Sequence, residues 1–242
     1  MEKERDFKIS LIIPAYNEEK YIDACLENAI KNSNGKVFEI IVVDNASTDK
    51  TAEMAGKYKS VRIVKENNKG VTRARQRGFI ESSGNILAFI DADTKMPPGW
   101  IEQIISEFKK NNSLVCLSGP YFFYDISAWK SFLIKIYWAL AIIMYRIISY
   151  MAVGGNLVIK RETLEKMKGF DTQIEFFGDD TNTARRASAF GKVKFEPDFI
   201  MYSSGRRITH FGLLKMAFIY ASYFFSEVIK RKSVNQKYIE IR

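Results

Sequence analysis

The first 120 residues alternate between short, unbroken apolar runs and longer stretches whose apolar positions recur every three or four residues. "KISLIIP" (8–14), "FEIIVVD" (38–44), "VRIVK" (61–65), "ILAFID" (86–91) and "LVCLSG" (114–119) are rich in β-branched residues and predict strands buried on both faces. The intervening periodicity predicts helices over 18–32, 49–58, 70–83 and 99–111, the last opening after Pro97-Pro98. Such alternation predicts an α/β fold, an open and mostly parallel sheet with helices on both faces.

After residue 120 the pattern changes. "SAWKSFLIKIYWALAIIMYRIISYM" (127–151) is one long apolar segment with few charges, and Ser127, Ser131, Lys135, Ile142, Arg146 and Ser149 fall in one stripe. At 100° per residue that stripe is about 100° wide. "FGLLKMAFIYASYFFSEVIKRKS" (211–233) repeats the design, with Gly212, Lys215, Ser222, Ser226 and Lys230 on one side. Their uncharged runs, 136–145 and 216–226, are ten and eleven residues. A membrane span needs about 20. Thin polar stripes, aromatics and flanking Lys/Arg suit two amphipathic helices at a bilayer interface. Packing into the core or a dimer is the plain structural alternative, and a tilted span over 211–229 is a third. Between them, 154–171 reads as strand then helix, 176–191 as turn then helix, and 192–198 as strand.

The chain of 242 residues carries a net charge of +9, with 47% hydrophobic residues. That length fits one α/β domain with appendages. The charge predicts an anionic partner: nucleic acid, anionic lipid or a phosphorylated small molecule. The basic excess follows residue 129, in Lys130, Lys135, Arg146, Lys160, Arg161, Arg185, Arg186, Arg206, Arg207 and "KRK" (230–232). No basic stripe with interleaved aromatics appears, which argues against nucleic acid. Cys25 and Cys116 have no motif spacing and read as inert core thiols in a reducing compartment. "MEKERDFKIS" has no apolar signal region, so the expected location is cytosolic, or peripheral or monotopic on the cytoplasmic face of the cell membrane.

Candidate chemistry gathers where open parallel sheets bind ligands, at the carboxyl ends of strands. The first strand runs into Pro14-Ala15-Tyr16-Asn17-Glu18, the second ends at Asp44 before "NASTD", and the fourth ends in "FIDADT" (89–94). Asn17 and Ser47/Thr48 also suit helix N-caps. Asp91 and Asp93, one residue apart, can present oxygens to one hard cation, Mg²⁺ or Mn²⁺. "ENNKGVTRARQRGF" (66–79) suits a phosphate at a helix start after Gly70. Arg73, Arg75 and Arg77 cannot all face one way on a helix. Arg75, between Ala74 and Gly78, is the one expected to point inward. Asp179-Asp180 opens a helix, either as a capping pair or as a general base.

In this order, "SLIIPAYNEEKYI", "IIVVDNASTDKT", "NKGVTRARQRG", "FIDADT", "GGNLVIKRETLEKMKGFD" and "FFGDDTNTARR" resemble the family 2 glycosyltransferases of GT-A fold, over about residues 8–210. The resemblance implies transfer of a sugar from a nucleoside-diphosphate-sugar, with inversion. It implies a donor-binding half (1–120), an acceptor half (121–210) and an interface helix with a basic tail (211–242). Pro14, Tyr16 and Glu18 would line base and ribose, and Asp44 the nucleobase. Arg75, Asp91, Ala92 and Asp93 would complete the donor site, Asp93 and Asp91 with the metal. Asp180 would be the base, with Asp179 in place of the family's usual Glu. Arg206 and Arg207 could hold diphosphate or a lipid phosphate, with Gly155 and Asn156 on the acceptor side. His210 could be a third metal ligand or an ordinary structural histidine. "RRASAFG" (185–191) lacks the Q-x-x-R-W pattern of processive members, which argues against polymer synthesis. The expected function is metal-dependent transfer from a UDP- or GDP-sugar to a lipid-linked or glycan acceptor at an anionic membrane surface. A soluble dimeric transferase and a non-catalytic nucleotide-sugar-binding partner are the rival readings.

Overall fold

The computed structural model describes residues 7–174 and 178–230. The first 120 residues run β1 (Ile9–Ala15), α1 (Ile22–Ser33), β2 (Glu39–Asp44), α2 (Thr51–Ala55), β3 (Val61–Lys65), α3 (Val71–Glu81), β4 (Ile86–Ile90), β5 (Thr94–Lys95), α4 (Trp100–Lys110) and β6 (Leu114–Ser118). The chain continues as β7 (Tyr121–Phe123), α5 (Ala128–Ile148), β8 (Asn156–Lys160), α6 (Arg161–Lys166), α7 (Asp179–Ser188), β9 (Lys192–Phe195), β10 (Met201–Ser203), α8 (Arg206–Phe211) and α9 (Leu213–Lys230). The predicted strands and helices of the first 120 residues all form, within a few residues of their expected ends.

Seven strands make one sheet in the order β3-β2-β1-β4-β8-β6-β9. All neighbours are parallel except β8, which runs antiparallel to β4 and β6. The unbroken apolar runs bury both faces, as their composition requires. Ile9, Leu11 and Ile13 pack with α1 and α4 on one face. Ile12, Ile41, Val43, Leu87 and Phe89 pack with α3, α6 and α7 on the other. Gly78 lets α3 press onto the sheet, since a Cβ there would lie 2.4 Å from Ile12 Cγ2. The three-stranded sheet β5-β10-β7 was not expected from the sequence. Its strands are two or three residues long, too short to show a period. Cys25 and Cys116 are free and buried, and burial pushes both thiols up to about 12.

The two apolar helices do not sink into the core. α5 touches the domain through Ile134, through Trp138, whose indole donates to the Tyr121 carbonyl (2.7 Å) and stacks on Phe195, and through Tyr145. Trp129, Phe132, Ile136, Leu140, Ile143 and Ile147 form an exposed apolar stripe, with Ile147 70% exposed. α9 turns Met216, Tyr223 and Glu227 inward, and Glu227 accepts from Asn182 and Arg185 of α7. It leaves Leu214, Phe218 and Ile229 more than 70% exposed. The ten-residue uncharged run had placed 127–151 short of a span. Taken whole, with its flanking charges, α5 has 21 residues, a mean hydropathy of 1.7 and only 6% of its apolar window buried. It is long and apolar enough to cross a membrane by length and composition. Residues 1–6, 175–177 and 231–242, hence Phe176 and Phe177 and most of the basic tail, lie outside the described residues.

Candidate functional site

Pro14, Tyr16, Glu18, Asp44, Asp91 and Asp93 lie at or just beyond the carboxyl ends of β1, β2 and β4. β8 enters this edge with its amino end because it runs antiparallel, so Gly154 and Gly155 face β4's Asp91. Neither glycine has room for a side chain. A Cβ on Gly154 would lie 2.5 Å from Arg75 Nη2, and one on Gly155 2.4 Å from Asp91 Oδ2.

Of the three arginines on α3, Arg75 alone is buried. Arg73 is exposed, and Arg77 pairs with Glu81 one turn on. The Arg75 guanidinium donates to Asp179 and lies 3.4 Å from Asp91. One cation therefore ties the end of β4 to the start of α7. Tyr121, which sequence reasoning missed, donates to the other Asp91 oxygen at 3.0 Å. It follows a Pro where the strand–helix pattern breaks, and nothing in the sequence marks it.

Gly178, at φ 84°, takes the N-cap position of α7, so neither aspartate is the cap. Both lie in the first turn, where a helix favours negative charge. Burial raises Asp179 against the pull of Arg75. Burial, with repulsion from Asp179, pushes Asp180 up to about 7. Two adjacent carboxyls with different partners divide the work: Asp179 is tied to Arg75, and Asp180 is poised to take up a proton near neutral pH.

Asp93 faces a different set of groups. Arg206 of α8 lies 3.0 Å from Asp93 Oδ2 and grips both oxygens of Glu18, at 2.6 and 2.8 Å. Burial pushes Asp93 up to about 6 although Arg206 pulls the other way. Arg207, beside it, shares Asp93, Asp91 and the Tyr220 hydroxyl as electrostatic partners, and they hold its charge firmly. Asp125, also missed, accepts from the Ser204 hydroxyl (2.7 Å) and the Gly205 amide, fixing the approach to α8.

The residues expected near the nucleobase sit at neighbouring strand ends. Pro14 is the penultimate residue of β1, beside Val43, Asp44 is buried at the end of β2, and Tyr16 lies under the Lys69 ammonium at 4.3 Å. Ala92 is buried between the two acids.

Three expectations are corrected. Asn17 and Ser47/Thr48 are not helix caps: α1 and α2 start later and carry no side-chain cap. Instead the Asn17 amide donates to Ser47 Oγ, and Asn17 Oδ1 accepts from the Thr48 amide, lashing the two strand-end loops together. Asn156 is not on the acceptor side. It is fully buried, and its side chain bridges Trp100 Nε1 and the Phe199 carbonyl. His210 does not join the aspartates. It lies one turn beyond Arg206, about 6 Å along the axis, exposed, with its ring edge-on to Phe211.

Among the described residues no three His, Cys, Asp or Glu side chains are grouped so that they could hold a metal ion between them. The pair Asp91–Asp93 still fits a hard divalent cation, because Mg²⁺ or Mn²⁺ at a phosphate site takes one or two carboxylates and draws its other ligands from water and phosphate. The hard-oxygen donor set, held tight by the side-chain-free Gly155, is the chemistry such an ion selects.

Residues 10–168, more than half of the chain, match Glycosyl transferase family 2. Over 121 residues the chain is 36% identical to the dolichol-phosphate mannosyltransferase of Pyrococcus furiosus, covering 47% of this chain and 33% of that protein. The chain thus spans about a third of that relative's length. The mannosyltransferase PcManGT from Pyrobaculum calidifontis, solved with GDP-Man and Mn²⁺, superposes with a TM-score of 0.65 at 21% identity, covering 82% of this chain and 57% of that one. Glucosyl-3-phosphoglycerate synthase from Mycobacterium tuberculosis, solved with Mn²⁺, UDP and phosphoglyceric acid, gives 0.65 at 18% identity, covering 93% of this chain and 78% of that one. At these identities the two structures establish the fold, which is GT-A. The sheet, its strand-end acids and the matched segment lead to one assignment: the chain belongs to Glycosyl transferase family 2.

Proposed function

We propose that this chain is an inverting glycosyltransferase that moves a sugar from a UDP- or GDP-sugar to the hydroxyl of a lipid-linked acceptor at a membrane surface. The observation that supports the reading is the Arg75 bridge, which ties Asp91, just after β4, to Asp179 at the start of α7, so the acids proposed for the donor and the helix proposed for the base meet through one cation. Pro14, Tyr16, Glu18 and Asp44 face the nucleobase and ribose, and Asp91, Ala92 and Asp93 the diphosphate. Asp180 takes the acceptor hydroxyl's proton as its oxygen attacks the anomeric carbon, and the bond from that carbon to the diphosphate breaks. Mn²⁺ or Mg²⁺, when bound, neutralises charge on the leaving diphosphate. Asp180's raised affinity for a proton suits a hydroxyl acceptor, which must lose one, better than a phosphate acceptor, which need not. Residues 1–120 form the donor half and 121–210 the acceptor half. A panel of UDP- and GDP-sugars tests this, with released nucleotide measured with and without EDTA. Metal-dependent release from one donor is the expected result, and a chain that neither cleaves nor binds any donor refutes the assignment.

The membrane part rests on α5 and α9. Internal partners already engage Arg161, Arg185 and Arg186. Lys130, Lys135, Arg146 and Lys215 remain on the two apolar helices. Tyr137 of α5 lies within electrostatic reach of both Tyr220 of α9 and Asp180, so the helices flank the base. Cations beside exposed apolar stripes suit the cytoplasmic face of an anionic bilayer, with the chain held as a peripheral or monotopic protein. The chain is expected to pellet with phosphatidylglycerol liposomes, and the double substitution Phe132→Glu/Ile143→Glu to leave it in the supernatant. Wild type that stays in the supernatant and doubles its mass with concentration would make the stripes a dimer interface instead.

A further inference from the structure

We propose that Arg206 is a built-in counter-ion for the cation seat: it occupies the Asp93 carboxylate in the absence of donor, and is exchanged for cation and diphosphate together. This rests on reading Asp93 as the metal acid.

The argument begins with charge. Glu18 and Asp91 both lie near enough to Asp93 to repel its negative charge. A single guanidinium joins Glu18 and Asp93, although they lie on loops after different strands. The Arg206 side chain is only 13% exposed, and it also lies over the Tyr21 ring, 4.7 Å from its centroid. In this state the Asp93 oxygen that a divalent ion needs already has a cation.

Release has a structural route. Arg206 opens a six-residue helix bracketed by Gly205 and by Gly212 at φ 84°. A cavity of about 190 Å³ lies beside it, lined by Asn17, Glu19, Lys20, Tyr21, Asp49 and Arg206. The guanidinium can therefore leave Asp93 without unfolding its neighbours, because Nη2 is shared between Asp93 and Glu18 while Nη1 is held by Glu18.

The exchange is favourable only when both newcomers arrive. A cation alone must strip Arg206 of a buried, charge-assisted partner and offers nothing in return. A diphosphate supplies oxygens in the geometry a guanidinium binds best, so Arg206 trades a carboxylate for a phosphate. Cation and nucleotide diphosphate then bind with mutual reinforcement, each raising the other's affinity by the same factor. Arg206 thus makes the seat selective for the metal–diphosphate pair over the free ion.

The test is Mn²⁺ binding, read by the electron paramagnetic resonance of free Mn²⁺, on the purified full chain with and without UDP or GDP. Wild type is expected to bind Mn²⁺ weakly alone and at least about tenfold more tightly with one nucleotide. Arg206→Gln is expected to bind Mn²⁺ alone about tenfold more tightly than wild type, and to lose most of the nucleotide enhancement. Arg206→Lys, which keeps the charge but cannot hold two carboxylates with one fork, should fall between them. A folded Arg206→Gln chain with unchanged or weaker Mn²⁺ binding overturns the exchange and leaves Arg206 a structural tie. Absence of Mn²⁺ binding in wild type and both variants, with nucleotide present, would remove the metal reading itself.

Discussion

Asp93→Ala is expected to cut donor cleavage by about a thousandfold at saturating Mn²⁺, the several kcal/mol that metal neutralisation of a leaving diphosphate supplies. The structure explains why the loss should be specific. Asp93 meets Arg206 on one side, but Arg206 keeps both Glu18 oxygens when Asp93 is gone. Asp91 keeps Arg75 and Tyr121. The fold is therefore expected to survive, with a melting temperature close to wild type. Released nucleotide and a thermal melt, measured on the same preparation, give the answer. Near-normal cleavage in a well-folded Asp93→Ala chain would remove "FIDADT" from the chemistry.

Asp180→Asn carries the second large effect. The substitution keeps the shape of the side chain and removes its ability to accept a proton. Sugar transfer should fall by about 10²–10⁴-fold, the usual worth of a positioned general base. Donor binding should persist, because Asp91 and Asp93, the acids proposed for the diphosphate, follow β4 and do not lie on α7. The pH dependence gives a sharper readout. Asp180 is held up to about 7, so it is protonated below that pH and cannot act as a base. The wild-type rate should decline as pH falls through about 7, and Asp180→Asn should lose that acid limb. A variant that keeps both the rate and the limb would show that the acceptor needs no base here, as for a phosphate acceptor.

The sequence disclosed most of the sheet for a physical reason. Strands buried on both faces must be unbroken apolar runs, and "LIIP", "IIVVD" and "ILAFI" can be little else. The strand-end acids were equally legible, because a carboxylate ending such a run needs a partner. What escaped was non-local. The direction of β8 depends on its neighbours and not on its own residues. Tyr121 and Asp125 belong to no motif and gain meaning only beside Asp91 and Gly205. Glu18 and Arg206 are separated by 188 positions, and no periodicity links them. The segment's resemblance to the family puts Asn156 with Gly155 on the acceptor side, yet its amide is used within the core. The polar stripe of α5 was read correctly as a stripe. The structure adds that an apolar face is left uncovered as well, alongside the exposed Lys135 and Arg146 of that stripe.

The order of strands also has a consequence in time. β3, β2, β1 and β4 are neighbours in space and all lie within the first ninety residues. As the chain leaves the ribosome, this block can close with α1 and α3 before the rest exists. β6 emerges soon after but has no place beside it, because β8 must lie between them. Until residue 160 has been made, the edge of β4 stays unpaired, an open template of the kind that invites wrong pairing. The strand that carries Asp91 and Asp93 at its end is thus laid down early, and the molecule waits for one late, reversed strand, and for Tyr121 and Arg206, to complete that edge.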